Sequence, residues 1–597
     1  MIRALTSQRR SRGTGGANAR ADRVSYAANP LLVVKLPAWR SRVLLLLLFS
    51  GFLALAIRAL YLQGGAGTNF LQRQGEVRYA RTLDVPGTRG KVLDRNGVVL
   101  AASVPARGIW AIPDDVDASP EQLAQLARLL QMPLAELKRK LADDDDRKFT
   151  FLRRQVDLDV AKKVQALQLA GIHQSPEFKR HYPEGPAVAH VTGFTNVEDR
   201  GQEGVELSWE SVLAARTGSR RVIKDRLGNV VEEDWLLAPA DGDDVRLSID
   251  SRIQFIAFSA LKGAIETHKA KAGAVIVLDV GTGEILALAN WPSFDPNARG
   301  QWQKAAVRNR VLTDTFEPGS TMKPFTVAAA IDAGKVTPQQ SIQTAPGKLT
   351  IGGRTIGDAH AYGLLTVAEV VAKSSNVGTA KIALDLPAAT LWDLYTKVGF
   401  GQAPRVAVGA VAGRLRPASA WRPIEQATIA YGYGVSVSLL QLARAYTVFA
   451  RDGDVVPLSL VRLDAPPASI PVLRPETAAA MRNMLEMAVS NGGTAPRARI
   501  DSYRVAGKTG TARKLRDGRY VSEYVASFAG FAPVSKPRLV VAVMIDEPDA
   551  GQFYGGQVAA PVFAEVVARS LRTLQVPPDA APTVLARSPA ERRGGAL

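Results

Sequence analysis

The sequence predicts an α/β (α+β) protein: an antiparallel sheet flanked by helices, preceded by a strand-rich region and by one N-terminal transmembrane helix. Three observations carry that expectation. Residues 43–57, VLLLLLFSGFLALAI, are apolar and uncharged. Apolar strands at hairpin spacing stand at 272–290 and again at 504–548. Long Ala/Leu/Val-rich stretches of helical character lie between the two strand groups.

A chain of 597 residues is too long for one compact core and calls for roughly two to four domains. Cysteine is absent, which excludes disulfides, thiolate metal sites and a cysteine nucleophile. The five histidines form no close pair, so a zinc site is not expected and histidine-based catalysis has few candidates. The formal net charge is +19. Nine Lys/Arg and one Asp precede Val43, so eight of those charges sit in a basic, disordered arm over 1–42. No nucleic-acid-binding pattern accompanies the charge, and a basic arm at a membrane surface is the reading it supports.

Residues 43–63 span about 30 Å as a helix, enough to cross the hydrocarbon core. Arg58 is placed to snorkel to the far interface beside Tyr61. The basic arm sets the N-terminus in the cytoplasm, which leaves everything after Gln63 on the periplasmic side of the inner membrane. Ala54-Leu55-Ala56 resembles a signal-peptide cleavage site but lies within the apolar run, so an uncleaved single-pass anchor is expected.

Residues 64–240 mix strand-like pieces with turn signals. Asp94-Arg95-Asn96-Gly97 separates two short apolar runs, a hairpin signature. Residues 119–142 carry helical periodicity and end in an acidic run at 143–146, read as a solvated turn. A second unit, 245–575, opens with AGAVIVLDV-GTG-EILALAN at 272–290 and closes with a helical pattern at 559–574. Residues 576–597 are Pro/Ala-rich and read as a disordered tail.

The chemistry sits in the second unit. Phe316-Glu-Pro-Gly-Ser320-Thr-Met-Lys323-Pro324 places an amine one helical turn from a hydroxyl, on the same face. A neutral lysine there can take the serine proton directly. Pro324 is tolerable only in a first helical turn, so Ser320 is expected at a helix N-terminus. Ser-x-x-Lys alone is weak, and the chain holds a second match, Ser259-Ala-Leu-Lys262, read as an ordinary amphipathic helix face. Two further motifs downstream give the first match its weight. Ser374-Ser-Asn376 comes 54 residues after Ser320, and Lys508-Thr509-Gly510-Thr511 comes 132 residues after Asn376 in an expected strand.

That order of motifs is similar to the one found in penicillin-binding proteins and serine β-lactamases. On that likeness Ser320 attacks a peptide carbonyl and Lys323 is its general base. Ser374 relays a proton to the leaving amine, and Asn376 holds the substrate amide. Lys508, Thr509 and Thr511 form a cationic, hydroxyl-lined strand edge for a terminal carboxylate. Gly510 lets a ligand approach that strand closely. The backbone N–H groups of Ser320 and Thr511 are the candidates for an oxyanion hole.

The flanks extend the likeness. Arg89-Gly-Lys-Val-Leu-Asp-Arg-Asn-Gly97, Tyr182-Pro-Glu-Gly185, Glu203-Gly-Val-Glu206, Arg308-Asn-Arg310 and Tyr554-Gly-Gly-Gln-Val-Ala-Ala-Pro561 resemble the division-specific class B penicillin-binding proteins, the FtsI-type peptidoglycan D,D-transpeptidases. The resemblance implies a penicilloyl-serine transferase (β-lactamase/transpeptidase-like) fold over 245–575 and a non-catalytic, dimerisation-type pedestal over 64–240. It implies peptidoglycan strands bearing precursor-derived pentapeptides as substrate, β-lactams as covalent ligands, and no cofactor or metal. It also implies partners in the division complex, including a polytopic glycan polymerase. Elongation-type relatives share the motifs, and a β-lactamase, a carboxypeptidase, or a β-lactam sensor or idle scaffold are the other readings of the same residues.

Overall fold

The computed structural model describes residues 37–63, 80–142, 149–224, 230–406 and 408–580. The arm up to residue 36, the acidic run at 143–146 and residues 581–597 lie outside the described residues, while 576–580 of the expected tail are held in place, Asp579 accepting from the Arg504 N–H (2.7 Å) and the Val576 carbonyl from the Tyr503 hydroxyl (2.7 Å). The chain divides into two compact units, one formed by residues 1–83 with 220–236 and the other by 84–219 with 237–597.

The first unit holds helix α1, Ala38–Gln63, whose side chains are all unburied. It starts five residues before the apolar run, because Trp39, Arg40 and Arg42 continue the helix at its polar end. Among the described residues it is the one helix long and apolar enough to cross a membrane. Strands Ala80–Val85, Gly218–Lys224 and Val230–Leu237 form a three-stranded sheet that the sequence pattern did not reveal.

In the second unit, β1 (Val92–Leu93) and β2 (Val99–Ala111) form the expected hairpin. The Asp94 carboxylate makes the turn, accepting from the N–H groups of Asn96 (2.7 Å) and Val98 (2.9 Å). β2 also pairs with β3 (Thr150–Asp157) and β4 (Ile172–His181), while β5 (Val245–Arg246) adds to β1 in parallel. The periodic stretch at 119–142 forms two helices, Pro120–Leu129 and Leu134–Leu141, the first closed by a Ser119–Gln122 capping box.

Arg89, Arg180 and Glu206, far apart in the chain, meet in this region. Glu206 accepts from Arg89 Nε (2.6 Å) and Arg180 Nε (2.7 Å), and all three side chains are buried. Arg180 also donates to the Gly90 carbonyl (2.7 Å). A buried carboxylate between two guanidiniums satisfies charges that would otherwise be prohibitive to bury.

The rest of the unit is a five-stranded antiparallel sheet with helices on both faces. After α2 (Ser251–Thr267) come β6 (Ala272–Asp279) and β7 (Ile285–Trp291), then α3 (Lys323–Asp332), α4 (Val367–Ala372), α5 (Asn376–Leu384) and α6 (Leu439–Ala450). β8 (Ala506–Arg516), β9 (Arg519–Ala532), β10 (Leu539–Asp546) and α7 (Ala560–Thr573) complete it. The spatial order is β7-β6-β10-β9-β8, so β8 is an edge strand. Burial on both faces explains why β6 is a continuous apolar run. Val275 and Val277 pack toward α2 and α7 with Ile253, Phe563 and Val566. Ala274, Ile276 and Leu278 pack the other way with Phe325 of α3 and Phe449 of α6. Each of the buried Val, Ile, Leu and Phe side chains contributes about 1.5–3 kcal/mol.

The stretch between the strand groups is not all helical. Lys348–Ile351 and Arg354–Gly357 form a hairpin through Gly352-Gly353, both with positive φ. That Gly-Gly pair is a hairpin signal that sequence reasoning passed over.

Candidate active site

The segment that carries Ser320 is held by its own backbone neighbours. Residues Gly319–Met322 form a 3₁₀ turn that runs directly into α3, with Pro324 in the first turn of the helix. Ser320 therefore lies in the turn just ahead of α3. In 3₁₀ geometry residues three apart eclipse, which puts Ser320 and Lys323 on one side. The Gly319 N–H donates to the Gly432 carbonyl (3.1 Å), and the Tyr446 hydroxyl donates to the Thr321 carbonyl (2.9 Å). A Cβ on Gly432 would stand 2.1 Å from the Gly319 oxygen, so only glycine fits there.

Lys323 is fully buried, yet its amine does not point to Ser320 through a hydrogen bond. Its Nζ donates instead to the Ser374 carbonyl (2.5 Å) and to Ser374 Oγ (3.0 Å). Among the described residues the Ser320 hydroxyl has no hydrogen-bond partner. Ser374 follows the end of α4 with φ of +63°, left-handed backbone that costs a non-glycine residue about 1 kcal/mol or more. Strain of that kind persists where surrounding bonds over-determine it.

One residue of the cluster carries no sequence signal. Asp358 follows the Arg354–Gly357 strand and sits at the start of α5. Its carboxylate accepts from Ser375 Oγ (2.6 Å) and from the N–H groups of Asn376 and Val377 (3.0 Å). Ser375 in turn caps α5, accepting from the Gly378 N–H (2.9 Å). Asn376 Nδ2 donates to the Gly357 carbonyl (2.8 Å). The Asp358–Ser375 contact joins residues 17 apart that share no helical or strand period, and no local pattern marks it.

Lys508, Thr509, Gly510 and Thr511 lie on edge strand β8, where Gly510 pairs with Ser527 of β9. Lys508 is fully buried and makes two long hydrogen bonds to its neighbour, to Thr509 O (3.4 Å) and Oγ1 (3.3 Å). Thr509 Oγ1 donates to Thr494 Oγ1 (3.1 Å), and Thr511 Oγ1 accepts from the Gly555 N–H (3.0 Å). The fold itself gives a need for Gly510. A Cβ there would lie 2.4 Å from Ser527 Oγ and 2.7 Å from the Pro318 carbonyl. The turn that carries Ser320 packs against β8 at this point.

Electrostatics tie the two lysines together. Burial drives the Lys323 amine well below its ordinary 10.5, and the charge of Lys508 drives it further, while Asp358 opposes both. Burial alone pushes Lys508 down to about 7. The second Ser-x-x-Lys match shows none of this. Ser259 and Lys262 lie on α2, and Lys262 is half-exposed and paired with Glu266 (3.8 Å).

A serine in a turn feeding a helix, with a buried lysine of depressed proton affinity three residues on, is an arrangement that can run serine acyl transfer without a histidine. The comparisons name the family. The penicillin binding protein transpeptidase domain matches residues 273–568, and the penicillin-binding protein dimerisation domain matches 84–247. The probable peptidoglycan D,D-transpeptidase PenA of Neisseria gonorrhoeae is 44% identical over 534 residues, covering 88% of this chain and 91% of that protein. The peptidoglycan D,D-transpeptidase FtsI of Escherichia coli K12 is 40% identical over 522 residues, covering 86% and 88%. The solved transpeptidase domain of penicillin-binding protein 3 from Burkholderia pseudomallei is 50% identical, with a TM-score of 0.53, covering 56% of this chain and 98% of that one. The chain belongs to the penicillin-binding protein family of peptidoglycan D,D-transpeptidases. Peptidoglycan is its substrate and β-lactams bind its transpeptidase domain.

Proposed function

We propose that the protein cross-links peptidoglycan stem peptides at the division septum through an acyl-enzyme on Ser320, releasing the terminal D-Ala. The observation that carries this reading is the pair of hydrogen bonds from Lys323 to Ser374. A neutral amine has two N–H donors and one lone pair. Both donors are spent on Ser374 O and Oγ, so the lone pair is left for the Ser320 proton. Once protonated, Lys323 donates to Ser374 Oγ, which passes a proton to the departing amine. Asn376 binds the donor's amide, and Lys508 with Thr509 and Thr511 binds its carboxylate. The N–H groups of Ser320 and Thr511 receive the oxyanion.

In the same reading, residues 245–575 are the catalytic domain and 64–240 a pedestal that docks partners. Helix α1 is a single-pass anchor in the inner membrane, with the basic arm cytoplasmic and the catalytic domain periplasmic. The charge of the arm supports that orientation. Glycan polymerisation falls to a polytopic partner of the division complex. The likeness to a protein named FtsI supports the divisional role over an elongation role.

Labelling with penicillin and then peptide mass spectrometry tests the chemistry. The adduct is expected on Ser320. An adduct on Ser259, or septal wall synthesis sustained by Ser320→Ala, would refute it. Rapid hydrolysis of the penicilloyl adduct would indicate a β-lactamase instead.

A further inference from the structure

A cavity of about 280 Å³ opens in the second unit between the loop 399–405 and residues 457–458, and it shares no lining residue with the cluster around Ser320. Two cations line it, Arg405 and Arg444, and no carboxylate does among the described residues. Arg444 stands on α6, one turn after Gln441 and on the same face. The buried Gln441 side chain fixes the cavity wall. Its Nε2 donates to the carbonyls of Gly399 (3.0 Å), Gln402 (2.9 Å) and Ala412 (2.7 Å). Gly399, with φ of +103°, makes room for the guanidinium, because a Cβ there would stand 2.1 Å from Arg444 Nη1.

The fold uses little of that guanidinium. Arg444 Nη1 donates to the carbonyl of Val398 (2.9 Å), the cap of the helix Ala388–Lys397. A cation at a helix C-terminus is favourable, but this bond takes only one of the five N–H groups of an arginine. Nε and Nη2 have no partner among the described residues. Burial lowers the proton affinity of Arg444. Arg405 is exposed and makes no ion pair among the described residues. Other arginines of the unit that are half-buried are neutralised: Arg451 by Asp454 (2.8 Å), Arg482 by Asp452 (3.2 Å) and Arg416 by Glu425 (2.8 Å). A guanidinium drawn partly out of water without a counter-charge is destabilising, and a bound anion removes that penalty.

We infer that this cavity binds a phosphate monoester carried on an apolar arm. The free Nε–Nη2 edge of Arg444 suits two parallel hydrogen bonds to one oxyanion, with Arg405 closing over it from the solvent side. Two unpaired cations match the charge of about −1.5 to −2 on a phosphate monoester better than the single charge of a carboxylate. Pro404, Pro457 and Leu458 supply an apolar rim for the arm. The cavity of about 280 Å³ equals roughly nine waters at about 30 Å³ each, so a phosphate leaves space for the first carbons of its chain. The same phosphate chemistry is presented by a lipid headgroup and by free phosphate, and the apolar rim favours the lipid.

The test titrates hexyl phosphate, hexyl sulfate and inorganic phosphate against the detergent-solubilised full-length protein at fixed ionic strength and follows the melting temperature. At a pH well above the second phosphate pKa of about 6, hexyl phosphate is expected to raise the melting temperature saturably. Hexyl sulfate, with the same arm and one charge, is expected to need a roughly 10-fold higher concentration for half-saturation. Arg405→Ala is expected to raise the half-saturating hexyl phosphate concentration by about 10-fold, and Arg444→Met to abolish the saturable shift. Both variants are expected to label with fluorescent penicillin at the wild-type rate, which reports that they are folded. No saturable shift in the wild type, or the same titration in the wild type and Arg405→Ala, overturns the site. Equal half-saturation by hexyl sulfate overturns the preference for phosphate. Inorganic phosphate that saturates at the same concentration as hexyl phosphate overturns the apolar arm and leaves free phosphate as the source.

Discussion

Lys508→Met separates what the buried amine does for the fold from what it does for the reaction. Lys508 has no ion-pair partner among the described residues and is fully buried, so its charge is carried at the protein's expense. Its folded value of about 7 lies below the 10.5 of an exposed lysine. The unfolded chain therefore binds the extra proton between those two values, and stability rises with pH across that window. At 1.36 kcal/mol per pH unit the penalty is about 5 kcal/mol below pH 7 and vanishes above the unfolded value. Methionine of similar length removes the charge. The variant is expected to melt higher than wild type at pH 6, with the gap closing as pH rises toward 10.

Acylation moves the other way. Losing the cation that meets the donor carboxylate is expected to lower the second-order rate with penicillin by 100-fold or more, about 3 kcal/mol. Stopped-flow labelling and thermal melts of the detergent-solubilised full chain read both quantities. A variant that acylates at the wild-type rate refutes the carboxylate role. One that melts lower at pH 6 refutes the reading of Lys508 as an uncompensated charge.

Further perturbations probe the scaffold. Glu206→Gln leaves Arg89 and Arg180 without their shared carboxylate and is expected to destabilise the protein by about 3–5 kcal/mol, seen as a lowered apparent melting temperature. Gly510→Ala forces a Cβ against the Pro318 carbonyl and Ser527, so penicillin acylation is expected to fall at least 10-fold while far-UV circular dichroism stays native. Asp358→Asn removes the group that holds the Lys323 proton affinity up, and the acidic limb of the acylation profile is expected to move to lower pH.

The motif residues were legible because motif chemistry is local. Ser320 and Lys323 are one turn apart, and Ser374, Asn376 and Lys508 are each marked by their own short pattern. The strands at 272–290 and 504–548 were legible because burial on both faces leaves continuous apolar runs. What escaped is long-range. Asp358 meets Ser375 at the start of α5 past the intervening α4, and Glu206 meets Arg89 across 117 residues. No periodicity encodes either contact. Gly510 is expected from sequence to let a ligand approach its strand, but no local pattern shows that the Pro318 carbonyl approaches it as well. The carboxylate of Glu317 sits within the Phe316–Pro324 motif, yet that its Oε2 is buried without a partner among the described residues is a fact of three-dimensional packing alone.

Two buried lysines in one site make the base sensitive to the substrate. With Lys508 protonated and alone, its charge lowers the proton affinity of Lys323. A carboxylate docking at Lys508 draws it fully into the protonated form and cancels that charge. Lys323 then feels burial without the added repulsion, and its affinity for the Ser320 proton rises when a substrate is in place. The acidic limb of the acylation profile should therefore lie at higher pH for the saturated rate, which reports the complex, than for the second-order rate, which reports the free enzyme. Lys508→Met should bring the two limbs together, because it has no charge to cancel. Coincident limbs in the wild type would mean that the two amines do not communicate, and that burial alone sets the base.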